Sequence, residues 1–297
     1  MTIGRVTVLT NPASGHGTAS RAAERAIAQF HRRGVDVVAI AGSDAEHARR
    51  LVEGALERGM DALVVVGGDG IVALALQVLA QTEIPLGIIP AGTGNDHARE
   101  YQLPMGDPAA AADVVVDGRV ETVDLGRIKG ADGTDRWFGT VMAAGFDSLV
   151  TDRTNRMRWP HGRMRYNVAM VAELSKLRLL PFRLTLDGEE LVTDLTLAAF
   201  GNTRSYGGGM LICPGADHSD GLLDVTMVQS ASRTRLIRLF PTVFKGTHVE
   251  LDQVRTARAR VITVDSPAIN AYADGEFVCP LPVEVSAVPA ALRILRP

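Results

Sequence analysis

The chain has few cysteines and no long apolar run. It is 297 residues long and has two cysteines, Cys213 and Cys279. Neither has a neighbour at metal-ligand spacing, so we interpret both as buried or incidental thiols in a reducing cytoplasm. No stretch reaches the ~18–20 consecutive apolar residues that cross a bilayer, and the N-terminus lacks the regions of a signal peptide. We therefore expect a cytoplasmic protein without a membrane span.

Two phosphate-binding signatures and an excess of positive charge are also missing. The net charge of -3 gives no global attraction to nucleic acid or to an anionic membrane, so any such attraction must be local. The chain has no P-loop sequence, and Gly15–Ser20 is at most a degraded dinucleotide fingerprint because it ends in serine. These absences argue against a P-loop enzyme, a Rossmann dehydrogenase and a nucleic-acid-binding protein.

The length and the 46% content of hydrophobic residues favour two domains. Up to Leu125 the pattern predicts alternating strands and helices around a parallel sheet, and from residue 126 to 287 it predicts short antiparallel strands in a sandwich or barrel. Predicted helices lie at Ala22–Phe30 (ended by Gly34), Asp44–Arg58, Val72–Ala80, Met164–Leu179 and Arg233–Phe244. Predicted strands lie at Val6–Thr10, Val35–Ile40, Ala62–Val66, Leu86–Ile89, Phe182–Leu186, Leu195–Phe200, Leu222–Val228, Ile269–Tyr272 and Phe277–Val278.

The tetrapeptide Gly67–Gly70 (Gly-Gly-Asp-Gly) follows the apolar run Ala62–Val66. Such a run is typical of a buried parallel strand, and glycines at its carboxyl end allow the backbone to approach a ligand. Asp69 is well placed there for a metal bound to phosphate. The alternative is a tight turn in which the aspartate only caps a helix.

Two further glycine-containing loops follow predicted strands, at Asn11–Gly17 and Pro90–Asp96. Because parallel strands end at one edge of a sheet, we expect these loops to converge with Gly67–Gly70. The amides of the first loop, the Gly68–Gly70 turn and the Thr93 hydroxyl would then surround a triphosphate, with support from helix N-termini. Asn95 and Asp96 begin a predicted helix. For one of them, an N-cap role is therefore the alternative to a role in the nucleotide site.

Three motifs lie downstream, at Gly207–Met210, Asp217–Asp224 and Asp274–Glu276. With the three loops, and in the same order, they resemble the diacylglycerol kinase catalytic family, soluble lipid kinases whose nucleotide site is designed like that of NAD kinases and phosphofructokinases; the actinobacterial type fits best. The resemblance implies an α/β N-terminal domain with a parallel sheet (1–125) and a β-rich, sandwich-like lipid-acceptor domain (126–287). It also implies that residues 288–297 return to the first domain.

The resemblance assigns roles to single residues. It implies that Glu276 is the general base, that Asp69 organises the metal-bound nucleotide, and that Asp274 holds the acceptor loop or a metal; an ordinary hairpin turn is the alternative for Asp274–Glu276. A Mg²⁺ ion would bind the Asp220 carboxylate and the carbonyls of Asp217 and Leu222. Because hard oxygen ligands dominate this site, we expect His97 and His218 to be loop or helix-surface histidines and not metal ligands. The ATP-binding residues would be Asn11, Pro12, Ala13, Ser14, Gly15, Gly67, Gly68, Asp69, Gly70, Thr93, Asn95 and Asp96.

The chain departs from the family pattern at three places. Ile71–Leu74 stands where relatives carry Thr-x-Asn-Glu, Gly42 where a threonine is common, and His16 where a lysine is common. These changes keep open a non-catalytic nucleotide- or lipid-binding regulator. The preferred hypothesis is an ATP- and Mg²⁺-dependent kinase that converts 1,2-diacylglycerol to phosphatidic acid. Sphingosine, ceramide, a polyprenol or a glycolipid are alternative acceptors, and the resemblance makes a homodimer plausible.

Two basic segments could contact the inner face of an anionic plasma membrane. Arg153–Arg165 has five arginines and no acid, interleaved with Met157, Trp159 and Met164. Arg233–Lys245 combines Arg233, Arg235, Arg238 and Lys245 with large apolar residues. The alternative for each segment is a helix that packs on its own domain and presents a solvated basic face.

Overall fold

The computed structural model describes residues 3–10, 18–157, 159, 168–169, 172–173, 178–229 and 232–297. Up to residue 130 strands and helices alternate, as the apolar pattern predicts. These elements are β1 (Arg5–Thr10), α1 (Thr18–Arg32), β2 (Asp36–Ala41), α2 (Ala45–Glu57), β3 (Ala62–Gly67), α3 (Asp69–Leu79), β4 (Leu86–Pro90), α4 (Asp96–Glu100), α5 (Pro108–Asp117) and β5 (Arg119–Gly130).

The first four strands form a parallel sheet in the order β2-β1-β3-β4. Strand β3 is buried along its whole length. Helices α1 and α5 pack on one side of the sheet, against Val64, and helices α2 and α3 pack on the other, against Leu63 and Val65. This arrangement confirms the prediction of a helix-covered parallel sheet and explains why the strand sequences are uninterrupted apolar runs.

The helix boundaries have local causes. Gly34 ends α1 as predicted, with a φ of 73°. The Asp44 carboxylate accepts a hydrogen bond from the His47 N–H at 2.8 Å, so Asp44 is the N-cap and α2 begins at Ala45. The predicted start of α3 at Val72 was wrong, because Gly68 is the N-cap and Asp69 begins the helix. An acid in the first turn is stabilised by the partial positive charge of the helix N-terminus.

The second part of the chain is mostly strand, as predicted. It contains β6 (Asp135–Phe138), β7 (Val141–Gly145), α6 (Phe146–Arg156), β8 (Leu180–Leu186), β9 (Glu189–Leu195), β10 (Leu197–Gly201), β11 (Leu223–Val228), α7 (Arg233–Val243), a 3₁₀ turn (Thr247–Glu250), β12 (Val254–Ala259), β13 (Val261–Asp265), β14 (Asn270–Ala273), β15 (Glu276–Pro280) and β16 (Val283–Arg296). Most of the helix predicted at Met164–Leu179 lies outside the described residues. Of the helices that the structure describes, none is long and apolar enough to cross a bilayer.

Two sheets form the sandwich. One has six antiparallel strands in the order β12-β11-β10-β7-β14-β15. The other extends the parallel sheet to β2-β1-β3-β4-β16-β13-β8-β9, with β5 paired to β16 and β6 to β5. The core between the sheets includes Phe182, Phe200 and Ile262. The fold class is therefore the one that the sequence predicts.

Strands β5 and β16 each run through both parts of the molecule. They pair antiparallel from Val283↔Gly130 to Arg296↔Arg119, with one irregularity in register. Near its end β16 pairs in parallel with β4 at Ile294↔Leu86. The predicted domain limits at 125/126 and 287/288 fall within these two strands, and the division into domains stays a prediction.

Candidate active site

The loops after β3 and β4 touch backbone to backbone. A Cβ placed on Gly92 would lie 2.4 Å from the Gly68 Cα, which is closer than any side chain permits. The Asn95 amide holds the second loop, because it accepts from the Gly92 N–H at 3.0 Å and donates to the Gly92 carbonyl at 2.9 Å. Asn95 is the N-cap of α4, without a side-chain hydrogen bond to that helix. Glycine at position 92 is therefore what lets these loops lie together at the sheet edge.

Asp69 is fixed by a buried histidine. Its Oδ1 accepts from the His97 N–H at 3.2 Å and lies 3.2 Å from His97 Nδ1. Burial favours a higher pKa for Asp69, but the hydrogen bonds and charge of His97 outweigh burial and lower it. For His97, burial opposes protonation, yet the hydrogen bond to Asp69 and the charges of Asp274, Asp69 and Asp96 raise its pKa. Asp69 is therefore held ionised and oriented.

Asp96 connects the two parts of the molecule. Its buried carboxylate accepts from the Gly208 N–H and the Gly209 N–H, both at 2.8 Å, and pairs with Arg99 at 3.1 Å. Burial and the nearby charge of Asp69 raise the pKa of Asp96 above its usual value, although the two amides oppose this shift. Both glycines have positive φ angles, of 85° and 101°, so the loop can point successive amides at one carboxylate.

Asp274 and Gly275 form the two-residue turn between β14 and β15, with φ angles of 51° and 81°. The Asp274 carboxylate is buried. It accepts from the Gly139 N–H at 2.9 Å, the Thr140 N–H at 2.8 Å and the Thr140 hydroxyl at 2.6 Å. These bonds fix the hairpin against the segment that leads into β7.

Glu276 follows this turn and is exposed to solvent. A Cβ placed on Gly70 would lie 3.5 Å from Glu276 Oε1. A carboxylate from the antiparallel sheet thus faces the first turn of α3, one residue after Asp69. The fold brings Asp69, Asp96, Asp274 and Glu276 to the junction of the two parts, although the sequence separates them widely.

The acidic turn at Asp217–Leu222 lies at the edge of the six-stranded sheet. Asp217 Oδ1 accepts from the Ser219 N–H at 3.0 Å and the Ser219 hydroxyl at 2.6 Å. Asp220 Oδ1 accepts from the Leu222 N–H at 3.0 Å, and its other oxygen pairs with Arg258. Arg258 also pairs with Asp224 at 3.1 Å.

The oxygen donors at this turn fit a hard cation. Burial, and then the charge of Asp217, raise the pKa of Asp224 to about 6. The side-chain donors are oxygens, as Mg²⁺ prefers. Among the residues that the structure describes, no cluster of three metal-ligating His, Cys, Asp or Glu side chains occurs. Magnesium at Asp220 would therefore rely on carbonyl or water ligands and would displace Arg258.

Protein-family comparisons match both parts of the chain. The diacylglycerol kinase catalytic domain matches residues 5–128, and the YegS C-terminal NAD kinase beta sandwich-like domain matches residues 140–296. A diacylglycerol kinase from Mycobacterium tuberculosis is 70% identical over 296 residues, covering 99% of this chain and 96% of that protein. The chain belongs to the diacylglycerol kinase family. It is thus a lipid kinase by family, as its motifs predict.

More distant members of the diacylglycerol kinase family match with similar coverage. A probable lipid kinase, YegS-like, from Stenotrophomonas maltophilia is 30% identical over 284 residues, covering 92% of this chain and 90% of that protein. A crystal structure from Bacillus anthracis, of a protein proposed to be a diacylglycerol kinase, has a TM-score of 0.82 and 21% identity. The match covers 100% of this chain and 96% of that chain, and it supports the description of the fold.

Part of the predicted nucleotide site of this kinase lies outside the described residues. This applies to Asn11, Pro12, Ala13, Ser14 and Gly15. The preceding strand is described, and Thr10 at its end pairs with Val66 of β3. Thr93 is exposed in the loop after β4. The first loop therefore begins at the same sheet edge as the Gly67–Gly70 and Pro90–Asp96 loops.

The prediction of a surface position was wrong for His97, which lies in α4, whereas His218 lies in a loop, as predicted. His97 is fully buried between Asp69 and the segment at Gly139. The His218 side chain is 13% exposed and lies 3.6 Å from both Glu100 and Glu121. A histidine after an aspartate carries no periodic signal, so the sequence alone gives no sign that tertiary contacts enclose it.

Asp124 is a third residue whose position the sequence did not predict. This buried carboxylate accepts from the Gly221 N–H at 2.7 Å and the Ala290 N–H at 2.9 Å. It therefore joins the acidic turn to the irregularity in β16. A signal was present, because Asp124 lies between the apolar Val123 and Leu125 in a strand, where an unpartnered acid would be costly.

Proposed function

We propose that this kinase transfers the γ-phosphate of ATP to the free hydroxyl of 1,2-diacylglycerol and releases phosphatidic acid. The observation that carries the proposal is the position of Glu276. Its carboxylate comes from the antiparallel sheet and faces the first turn of α3 next to the ionised Asp69. The 70% identity to a diacylglycerol kinase supports the choice of acceptor.

The glycine loops would bind the phosphates of ATP. The contact between Gly68 and Gly92 leaves no side chain between the loops, so their backbones can approach the nucleotide closely. The N-terminus of α3 adds partial positive charge at the same edge. Asp69, held by His97, would orient the nucleotide through its metal. When bound, Mg²⁺ neutralises part of the negative charge of the phosphates.

Glu276 would act as the general base in the transfer. The lipid hydroxyl oxygen forms a bond to the γ-phosphorus while the bond from that phosphorus to the β,γ-bridging oxygen breaks. The hydroxyl proton passes to the Glu276 carboxylate, and the leaving group is ADP. Asp274 does not compete for this proton, because its carboxylate already accepts three hydrogen bonds at the base of the hairpin.

The acidic turn would hold a structural Mg²⁺ through the Asp220 carboxylate and the carbonyls of Asp217 and Leu222. Its place in the fold supports a structural role, because Asp124 fixes the turn to the irregularity in β16. There the ion would stabilise the segment around Asp220.

The departure at Ile71–Leu74 has a packing explanation. Val72 is buried, and Ile71 and Leu74 pack against the core formed by α2, α3 and the sheet. The apolar residues thus contribute to the hydrophobic core beneath α3. Packing alone therefore accounts for this departure, whether the protein is a kinase or a regulator.

The acceptor is tested by offering several lipids to the purified protein with γ-labelled ATP and Mg²⁺ in mixed micelles. Diacylglycerol, sphingosine, ceramide, undecaprenol and a glycolipid are supplied in turn. We expect phosphatidic acid to be labelled at least tenfold faster than the product of any other lipid. Faster labelling of another lipid would replace diacylglycerol as the acceptor, and ATP binding with no labelled lipid would favour the regulator.

A further inference from the structure

Helix α7 covers the outer side of the six-stranded sheet. Its inner residues Leu239 and Val243 are buried against Val141 of β7, Ala199 of β10 and Met210. This packing fixes which side of the helix faces outward. The outer side exposes large apolar side chains together with positively charged ones.

An apolar stripe runs along the outer side of α7. Ile237 is 58% exposed, Phe240 39% and Phe244 47%. Their spacing places them on one side of the helix, and the rings of Phe240 and Phe244 meet edge to face with centroids 5.5 Å apart. Contiguous exposed apolar surface of this kind marks an interaction site.

Positive charge flanks the stripe. Arg235, Arg238 and Lys245 are exposed, and no carboxylate of the described part of the chain pairs with them. Residues 232–249 contain no acid, although the whole chain has a net charge of -3. We call these three cations together with Ile237, Phe240 and Phe244 the α7 face.

We propose that the α7 face docks this kinase on an anionic lipid bilayer. Apolar side chains flanked by long cationic ones on a helix that packs onto the protein match a helix lying in the membrane interface. Cations near anionic headgroups add attraction that a neutral bilayer does not provide. The inference rests on the proposed function, because a kinase for a bilayer lipid must reach its substrate there.

The position of the α7 face relative to the candidate active site supports this partner. The Leu211 N–H donates to the Val243 carbonyl at 3.1 Å, and the loop that binds Asp96 lies just before Leu211. Helix α7 therefore packs on the segment that leads directly from the nucleotide site.

The other exposed phenylalanine of the second part lies on the same side. Phe277, next to Glu276, is 49% exposed and pairs with Tyr272, which pairs in turn with Ala143. Since Ala143 and Val141 point to the same side of β7, Phe277 shares the outer side of this sheet with α7. A bilayer that contacts α7 on this side would also meet apolar surface beside the proposed base.

The test is vesicle co-sedimentation without ATP or diacylglycerol. Vesicles of phosphatidylcholine alone are compared with vesicles that also contain phosphatidylglycerol. We expect binding to the anionic vesicles only, and we expect added salt to weaken it. The triple variant Arg235→Gln, Arg238→Gln, Lys245→Gln should lower the partition coefficient roughly 100-fold, at about fivefold per cation. The double variant Phe240→Ser, Phe244→Ser should bind at least tenfold more weakly.

The matched control is Val192→Ser, which removes an exposed apolar side chain from edge strand β9 and should bind vesicles normally. Unchanged binding by both α7-face variants would overturn the proposal. The proposal would also be overturned if the protein were a dimer that the double variant Phe240→Ser, Phe244→Ser dissociates while vesicle binding persists. The α7 face would then bind a second copy of the chain.

Docking and catalysis are separated by two further measurements. Glu276→Gln should bind anionic vesicles like the wild type. The α7-face variants should keep wild-type turnover on a short-chain, monomeric diacylglycerol. Loss of that turnover with unaltered vesicle binding would contradict docking through α7. Absence of turnover in the wild type with intact α7-dependent binding would refute the proposed kinase activity and leave the docking surface standing.

Discussion

At the scale of single residues, His97 explains how Asp69 keeps one orientation. Its imidazole is buried and lies 3.2 Å from Asp69 Oδ1 through Nδ1. We predict that His97→Leu lowers kcat/KM by about tenfold to 100-fold, since losing one partner of a buried polar pair costs roughly 1–3 kcal/mol. Steady-state kinetics with varied ATP measure this.

The matched variant for this prediction is His97→Asn, whose side-chain amide can donate near the position of Nδ1. It should recover a clear part of the lost activity, mainly as a lower KM for ATP. Equal activity of His97→Leu and wild type would show that Asp69 needs no partner. Thermal unfolding of each variant separates loss of orientation from loss of fold.

The two cysteines are a second prediction at this scale. Cys213 and Cys279 are buried free thiols, which confirms the prediction that these thiols are buried. Burial raises the pKa of Cys213 to about 12, so its reactive thiolate is nearly absent at neutral pH and increases as the pH rises. A chromogenic disulfide reagent should label neither thiol in the folded protein at pH 7 and both after unfolding. Rapid labelling before unfolding would contradict this burial.

At the scale of elements, the contact between the loops after β3 and β4 is the most sensitive feature. We predict that Gly92→Ala raises the KM for ATP at least tenfold and destabilises the fold by about 1–3 kcal/mol, because its Cβ would overlap the Gly68 backbone. Denaturant unfolding and ATP titration measure the two effects.

Gly54→Ala is the control for that substitution. Gly54 lies inside α2, where the added Cβ meets only the Arg58 guanidinium at 3.4 Å. It should stabilise the protein by up to ~1 kcal/mol through helix propensity and leave ATP binding unchanged. If Gly92→Ala behaved in the same way, the loops would not require their close approach.

Several elements could be predicted from the sequence because their signals are local. The apolar run at β3, the αL glycine after α1 and the Asp44 cap each act within a few residues. The start of α3 was missed because an Asp-Gly pair fits both a turn and a first helical turn. Asp124 and His97 were missed because their partners come from distant segments.

At the scale of the whole molecule, the long strands β5 and β16 make the two parts depend on each other. They pair with each other over most of their length and carry the large sheet across the predicted domain limit. We predict one cooperative thermal transition by calorimetry, with calorimetric and van't Hoff enthalpies in agreement. Two separated transitions would contradict this coupling.

A fragment of residues 1–125 tests the same coupling. Cutting there removes β16 and with it the whole pairing between β16 and β5, which leaves β4 as an open edge. The fragment should fail to give a cooperative unfolding transition. A stable, monomeric fragment would show that the first part folds alone.

The motifs identify the family from the sequence, but the meeting of Glu276 with the first turn of α3 depends on the whole fold. A direct test is label transfer from γ-labelled ATP to diacylglycerol by Glu276→Gln, beside the wild type and the control Glu284→Gln, which changes an exposed acid on β16. We predict a loss of roughly 10²–10⁴-fold in kcat with ATP binding retained, as for removal of a general base. Near wild-type turnover of a folded Glu276→Gln protein would contradict the role of Glu276 as the general base.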